Sequence, residues 1–517
     1  MTAPHSQKFD VAIVGSGAAG SMLAGILAGH GARVALIDRR SHPRFSIGES
    51  STPLADALLR MLGRKHRWQR LQDWATWGGW RRSNPDAIVG KKRGFTYIRD
   101  SASDDSMASL HRQRCLVTAS THDEVSDTHW HRATSDRILH DDAIARGAIN
   151  FSGTEILDLS IEPEIRLRLR RPTRAWTLRV GTLIDASGNG WVHRAIGAVD
   201  WTQRMKTHTG CRYAHLLDVD RSPDELRGRN DPFDLDDAAV HHWFGPTGWA
   251  WVLRFDSGLA SVGWVQPGGL AGGSSRDSFA SRGRFAKILR GARRDHHESG
   301  SEIGSCSSPG HRADDPRTWR TMRRIQRWGP AVVAPRVWLL PTAAATIDPL
   351  HSTGLAHAMA GVDRLAQAFL SSEGDEATYA SLVHDEVAWV DRLVSLAYEN
   401  IDDFERFVDA CQLFLVAAIR SEHAMDGGRH DAADVLPDGG LFGVRDVEFR
   451  IAMETAIARL SDRRVAVRQR RSQICDVLRP FNVAGLFESS DGVYRRSATK
   501  TEEIRDANLS TSTENVT

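Results

Sequence analysis

Residues 9–14 are a short apolar run that breaks into Gly15-Ser16-Gly17-Ala18-Ala19-Gly20. The chain then sets Met22, Leu23, Ile26 and Leu27 at helical spacing before a second apolar run, 33–37, closes on Asp38. Strand, glycine turn, helix and strand in that order predict a βαβ unit. Residues 39–53 read as a polar loop, 54–76 as helix, and a further helix is expected over 135–146. Residues 165–170 alternate apolar and basic side chains, turn at Pro172-Thr173 and return through 176–180, the period-two signature of a half-exposed antiparallel hairpin. Strands are expected at 250–255 and 259–265 across the turn 256–258. The stretch 267–318 is rich in Gly, Ser and Arg and reads as loop with one short helix near 279–290. From the apolar run 337–340 to about residue 480 the pattern is helical.

The uncharged segment 11–29 has the length of a membrane span, but its five glycines and the nearby Lys8 and Asp10 fit a strand-turn-helix loop instead. Across 517 residues, 67 basic and 65 acidic side chains leave a net charge of +2, too small for counterion-driven binding to nucleic acid or an anionic membrane. Five scattered Cys show no metal-ligand spacing and read as reduced thiols, so a cytoplasmic protein is expected. Only seven of the 67 basic residues are Lys, yet Lys91 and Lys92 are adjacent. Where Arg is the default cation, such a pair points either to a need for a titratable amine or to two chance surface residues.

Gly15, Gly17 and Gly20 follow a strand and open a helix, with Asp38 eighteen residues beyond the third glycine, and so meet the context of a dinucleotide fingerprint. The first glycine permits the turn, the second lets the backbone approach a pyrophosphate, and the third lets helix pack on strand. The acidic residue is placed for a ribose. FAD and NAD are the candidates. Residues 183–188, a strand running into the small-residue turn Asp185-Ala186-Ser187-Gly188 after an inserted hairpin, favour FAD in a glutathione-reductase-like Rossmann domain.

Four segments carry a family resemblance: 15–38; Gly48-Glu49-Ser50; 248–253 with its Trp249-Ala250-Trp251, followed by Ser261-Val262-Gly263; and 348–354, Asp-Pro-Leu-His-Ser-Thr-Gly. In these the chain resembles the flavin-dependent halogenases, within the wider FAD-dependent monooxygenase superfamily. The resemblance implies an α/β fold in which an FAD-binding Rossmann domain (1–200, with 330–370 returning to it) carries an inserted antiparallel β substrate domain (201–330). A helical C-terminal region (371–488) would follow; the tail 489–517, rich in Ser, Thr, Glu and Asn, reads from its composition as disordered. The resemblance implies FAD contacts from Gly15, Gly17, Ala18, Gly20, Asp38, Gly48, Glu49, Ser50, Arg132, Asp185, Gly188 and Asp348, and a halide site at the backbone of Thr353 and Gly354. In the family, reduced FAD and oxygen form a flavin hydroperoxide that a halide attacks, and the hypohalous acid travels to a lysine. The matching residue is Lys92 of Lys92-Arg93-Gly94, with Lys91 the near alternative. Reduced FAD would come from a separate NAD(P)H flavin reductase, and the substrate would be an aromatic small molecule shielded from the flavin by Trp249 and Trp251.

Three departures qualify the resemblance. The family's Trp-x-Trp-x-Ile-Pro ends here in Val252-Leu253-Arg254; His351 stands where tryptophan halogenases have a carboxylate, and is itself a candidate base; and Pro341-Thr342 replaces the superfamily's Gly-Asp. An FAD-dependent aromatic hydroxylase and a flavin-free scaffold are therefore the competing readings. His129-x-His131 and His241-His242 lack metal-ligand spacing and are expected to be loop or strand residues, so no metal site is expected. The basic run 462–471 reads as a solvated helix face.

Overall fold

The computed structural model describes residues 7–100, 110–270, 283–295, 318–371, 375–425, 436–437, 439–488 and 493–494. The first strand, Gln7–Val14, lies inside an eight-stranded sheet, paired in parallel with Val34–Asp38 on one side and Arg174–Asp185 on the other. Both faces of that strand are covered, which is why its sequence is a continuous apolar run with Phe9, Val11, Ala12 and Ile13 fully buried. Ile149–Ser152 extends the sheet beyond Val34–Asp38, and Val337–Leu339 extends it beyond Arg174–Asp185. The expected hairpin is Ile165–Arg171 paired antiparallel with Arg174–Asp185; Ile165, Leu167 and Leu169 are buried while the arginines between them face water.

The helix Ala18–Gly29 leaves the glycine turn and packs against Arg132–Ala145 and Gly354–Leu370. The single helix expected over 54–76 is instead Pro53–Lys65 and Gln69–Asp73, with Trp77–Ser83 following. Arg67 adopts a left-handed φ of 50° between the first two, and the turn brings the Trp68 ring against Gly25, where an added Cβ would lie 2.7 Å from it. Tertiary packing has overridden local helix preference there.

A second, nine-stranded sheet runs Arg293–Arg294, Thr209–Leu217, Ala260–Pro267, Trp249–Arg254, Ala239–Trp243, Gly94–Arg99, Arg114–Thr118 and Val493–Tyr494, with Arg320–Met322 also on Thr209–Leu217. These strands draw on more of the chain than the expected insert 201–330. Two strands come from within 1–200 and one from within 489–517, because the inserted sheet completes its hydrogen bonding with segments far away in sequence. The rest of that expected tail, the glycines 272–273, Cys306 and most of 267–318 lie outside the described residues.

The sheet is buried on both faces. Ile98, Val240, Ala250, Val252 and Val262 pack outward around Phe285. Phe95, Tyr97, Trp243, Trp249, Trp251 and Leu253 point inward and share one core with the flavin-side sheet and the C-terminal helices. Of those helices, Phe404–Met425 is buried along most of its length, with an apolar centre at Leu413–Ala417, as a central helix must be. It packs on Pro53–Lys65 and on Glu376–Glu399. None of the described helices is long and apolar enough to cross a membrane.

Candidate active site

The nucleotide end is built by close approach. Gly15 has φ 109°, and a Cβ there would sit 2.5 Å from the carbonyl oxygen of Ala186; a Cβ on Gly20 would sit 1.9 Å from the carbonyl oxygen of Gly15. Only glycine fits either position. Gly17 differs: its missing Cβ faces the Arg132 and Arg44 guanidinium groups at 3.6 and 3.9 Å, beside Asp136, and Ala18 begins the helix. A helix N-terminus flanked by two guanidinium groups is a cradle for a pyrophosphate. The residues present therefore fit FAD. Arg132 is held bidentate by Asp136 (2.8 and 3.1 Å) and donates to the carbonyls of Ile47 and Gly48 (both 3.0 Å), fixing the Gly48 loop to the cradle.

Arg44 had no motif to announce it. Its NH2 lies 2.9 Å from Asp38 Oδ2, which also accepts from the backbone N–H and hydroxyl of Ser16 at 3.0 and 3.1 Å. Burial opposes the charge of Asp38, but Arg44 and the N–H groups of Arg40 and Ser16 outweigh it and hold the carboxyl below its ordinary value. Asp38 thus braces the glycine loop as well as facing the expected ribose. Asp185 caps the other turn, accepting from Ser187 N and Val192 N (both 2.8 Å). Gly188, at φ 68°, has open space before its Cα. Arg327 ties this turn to the one carrying Pro341-Thr342, donating to the carbonyls of Gly188 and Thr342 (both 3.3 Å) and of Ala343 (2.5 Å). Burial pushes its guanidinium down to about 10. A cation thus ties together the segment where the superfamily has an aspartate.

The Gly48-Glu49-Ser50 segment leads from the nucleotide end to the lysine. Glu49 is buried and accepts from His215 Nε2 at 2.6 Å; Ser50 bridges to His129 on the strand Asp127–Trp130. That strand pairs with Val89–Lys92. Lys92 is completely buried, donates to the carbonyl of Ser51, and holds its ammonium 4.2 Å from the Phe95 ring centre. Burial drives its amine down to about 8, with Asp127 and Asp56 opposing the shift. Lys91 points the other way and is ion-paired with Asp123 (2.6 Å) and Asp237 (3.0 Å), which hold its amine above the ordinary value against burial. Gly94 is required two residues on, because a Cβ there would meet the Val117 carbonyl oxygen at 2.0 Å.

The third wall is the turn before helix Gly354–Leu370. Asp348 caps it through Leu350 N (3.1 Å), Ser352 is left-handed at φ 57°, and Thr353 is the buried N-cap residue. Gly354 is exposed, with nothing within 4 Å of an added Cβ, so the helix N-terminus opens onto free space. Asp348 itself points inward. It accepts from Thr209 Oγ1 (2.6 Å) and Tyr398 OH (2.9 Å), and Tyr398 in turn accepts from the Trp249 indole N–H at 2.8 Å. Burial raises the Asp348 carboxyl to about 6. Through these bonds Asp348, expected as a cofactor contact, links the turn before helix Gly354–Leu370 to the first tryptophan. Trp251 donates to Ser261 Oγ at 3.2 Å. His351 stacks on Phe414 with ring centres 4.1 Å apart, neither ring nitrogen has a protein partner, and burial lowers it to about 3, leaving a neutral imidazole.

The lost proline does not reach this wall. Arg254 faces away from it, donating to the carbonyls of Val219 and Asp220, while Trp249 and Trp251 keep the inward face. The described residues contain no cluster of His, Cys, Asp or Glu able to hold a metal. A surface groove of about 700 Å³ on the outer side of the C-terminal helices, lined by Trp389, Val447 and Ile451 among others, includes none of these residues.

Comparison with known proteins agrees with this arrangement. Residues 8–157 match the family model of the FAD binding domain. Tetracycline 7-halogenase of Kitasatospora aureofaciens is 25% identical over 493 residues, covering 84% of this chain and 80% of that protein. Monodechloroaminopyrrolnitrin halogenase PrnC of Pseudomonas fluorescens is 25% identical over 404 residues, covering 77% and 67%. The halogenase PltM, crystallised with phloroglucinol and FAD, has the same fold, with a TM-score of 0.78 at 21% identity over 94% of this chain and 99% of that one. The nucleotide cradle and these relatives together make the chain an FAD-dependent oxidoreductase that resembles the flavin-dependent halogenases.

Proposed function

We propose that this protein halogenates an aromatic small molecule, with Lys92 presenting the oxidised halogen to the substrate. The observation that carries the reading is the contrast between the two lysines. Lys91 is tied up in two ion pairs at the rim, whereas Lys92 is an enclosed amine, lowered to about 8, against the ring of Phe95. Such an amine can donate a hydrogen bond to hypohalous acid and, in its free form, accept the halogen; a guanidinium cannot do the second.

Bound in the Gly15–Gly20 cradle, reduced FAD would supply two of the four electrons that reduce oxygen, the halide giving the other two as it is oxidised. The chain's own residues do the rest. Arg44 and Arg132 hold the pyrophosphate, the N-terminus of Gly354–Leu370 offers backbone N–H groups to a halide, and Trp249 and Trp251 separate substrate from cofactor. Lys92 lies beyond them, one hydrogen bond from the Gly48–Ser51 loop. The substrate and a separate NAD(P)H flavin reductase are the implied partners.

The test is to supply FAD, a flavin reductase, NADH and a panel of phenols, indoles and pyrroles with chloride or bromide, and to weigh the products. Masses that follow the halide support the reading. Hydroxylated products insensitive to halide would overturn it in favour of a monooxygenase.

A further inference from the structure

His241 is a buried titratable group that none of the roles above uses. It lies on the strand Ala239–Trp243, where Ala239 and Trp243 face the helices while Val240 faces the outer core and His242 meets Asp100 at 3.2 Å. His241 shares the inward face. It is 2% exposed, and its Nδ1 has no protein hydrogen-bond partner. Its ring is enclosed by Trp249 at 4.8 Å, Tyr97 at 5.2 Å and Phe95 at 5.7 Å between centres. Phe95 is also the ring that carries the Lys92 ammonium, and Trp249 is the indole anchored through Tyr398 to Asp348. His241 therefore lies between the ring that carries the lysine and the first tryptophan. A buried ring nitrogen left without a partner is costly, and buried polar groups in folded proteins are almost always matched.

Resting on the halogenase reading, we propose that His241 is a catalytic residue whose Nδ1 takes up the hydroxyl proton of a neutral phenol while the ring is halogenated beside Lys92. Hypohalous acid, which that reading supplies, is the co-reactant. A ring carbon ortho or para to the hydroxyl donates its electron pair to the halogen, the carbon–halogen bond forms, the halogen–oxygen bond breaks and hydroxide leaves. The phenolic proton passes to His241, giving a halogenated dienone, and the imidazolium returns that proton to hydroxide as water. Loss of the ring C–H proton and reprotonation of the oxygen restore the phenol. Halogen is reduced by two electrons and the ring carbon is oxidised by two.

Charge argues for a neutral substrate. Lys92 already faces Asp127 and Asp56, so an ionic ring would lose its hydration without finding a free counter-charge. Burial, together with His351, Lys92 and neighbouring histidines, holds His241 well below its ordinary value and therefore neutral, with a lone pair to offer. Such an imidazole is a weak base toward a resting phenol. It suffices once the carbon–halogen bond has begun to form, because the hydroxyl then becomes strongly acidic.

Resorcinol and its dimethyl ether separate this role from a structural one. The wild-type enzyme, given FAD, reductase, NADH and bromide, is expected to brominate resorcinol on the order of 10² faster than the ether, the span of a positioned base. In His241→Asn, and in His241→Gln, which fills the ring's space more closely, that preference should collapse to about 5-fold or less, through kcat on resorcinol with KM little moved. A preference unchanged in whichever variant folds and binds flavin overturns the proposal. Hydroxylated in place of brominated products from the wild-type protein would instead remove the reading on which it rests.

Discussion

A single amine shows how far function has been allowed to oppose stability. Lys92 has nearly all its water removed and only partial compensation from Asp127 and Asp56, so its folded amine titrates near 8 while an unfolded lysine titrates near 10.5. Between those values the unfolded chain binds more protons, and stability rises with pH through that window. Below about 8 the full penalty is present, on the order of 3 kcal/mol for a shift of this size. Lys92→Met, which keeps the bulk and removes the charge, should therefore raise the thermal midpoint at pH 7, with the advantage over wild type shrinking as pH climbs from 8 toward 10; an equal or lower midpoint at pH 7 would mean that the ammonium is well solvated. The same variant should lose halogenated product by about 10² or more, and Lys92→Arg should not rescue it. Lys91→Met breaks two ion pairs at the rim and should cost halogenation less than about 3-fold, as partly exposed pairs contribute little. Parallel product yields from the three variants check this ordering. The pair of lysines was visible in the sequence, but which of them is enclosed was not, since adjacent residues on a strand face opposite ways and only the fold says which face is the core.

At the scale of the element, the glycine turn and helix that open 15–38 were legible because each glycine answers a steric demand, two of them from backbone and one from the expected pyrophosphate. The structure adds that the three demands differ. At Gly20 the obstacle is backbone, 1.9 Å from a Cβ, so Gly20→Val should destabilise the fold by more than about 3 kcal/mol and lose flavin as a consequence. At Gly17 the nearest atoms are the ends of the flexible Arg132, Asp136 and Arg44 side chains at 3.6 Å or beyond, so Gly17→Ala should keep its thermal midpoint within a few degrees and still fail to retain FAD. Melting curves read beside flavin absorbance distinguish the two, and a Gly17→Ala protein that retains flavin would move the pyrophosphate elsewhere. Arg44, by contrast, was illegible: it lies in a loop without periodicity, and its partners Asp38 and Gly17 are brought to it by the turn that follows the second strand. The Asp348–Tyr398–Trp249 chain was hidden for the same reason, since its members stand 50 and 149 residues apart.

On the scale of the whole molecule, the two large sheets divide the labour, and this bears on where electrons enter. The flavin-side sheet spends its parallel strands on one glycine loop. The second sheet, which the sequence suggested through strands within 201–266, is mainly antiparallel, and its parallel pairings, Ala239–Trp243 with Gly94–Arg99 and Arg114–Thr118 with Val493–Tyr494, join segments distant in sequence. Neither pairing frames a glycine-rich turn opening a helix. Gly268 and Gly269, both left-handed, end the strand Ala260–Pro267. Among the described residues there is thus one dinucleotide cradle, and a nicotinamide nucleotide has no second one from which to pass hydride to the flavin. Reduction is expected to occur elsewhere, with reduced FAD arriving by diffusion from a separate reductase. Under anaerobic conditions the flavin-loaded protein mixed with NADH alone should keep its oxidised absorbance for many minutes, and a catalytic trace of flavin reductase should bleach it. Rapid bleaching by NADH without the reductase would show that the chain binds the nicotinamide itself, and would favour the competing reading, an aromatic hydroxylase.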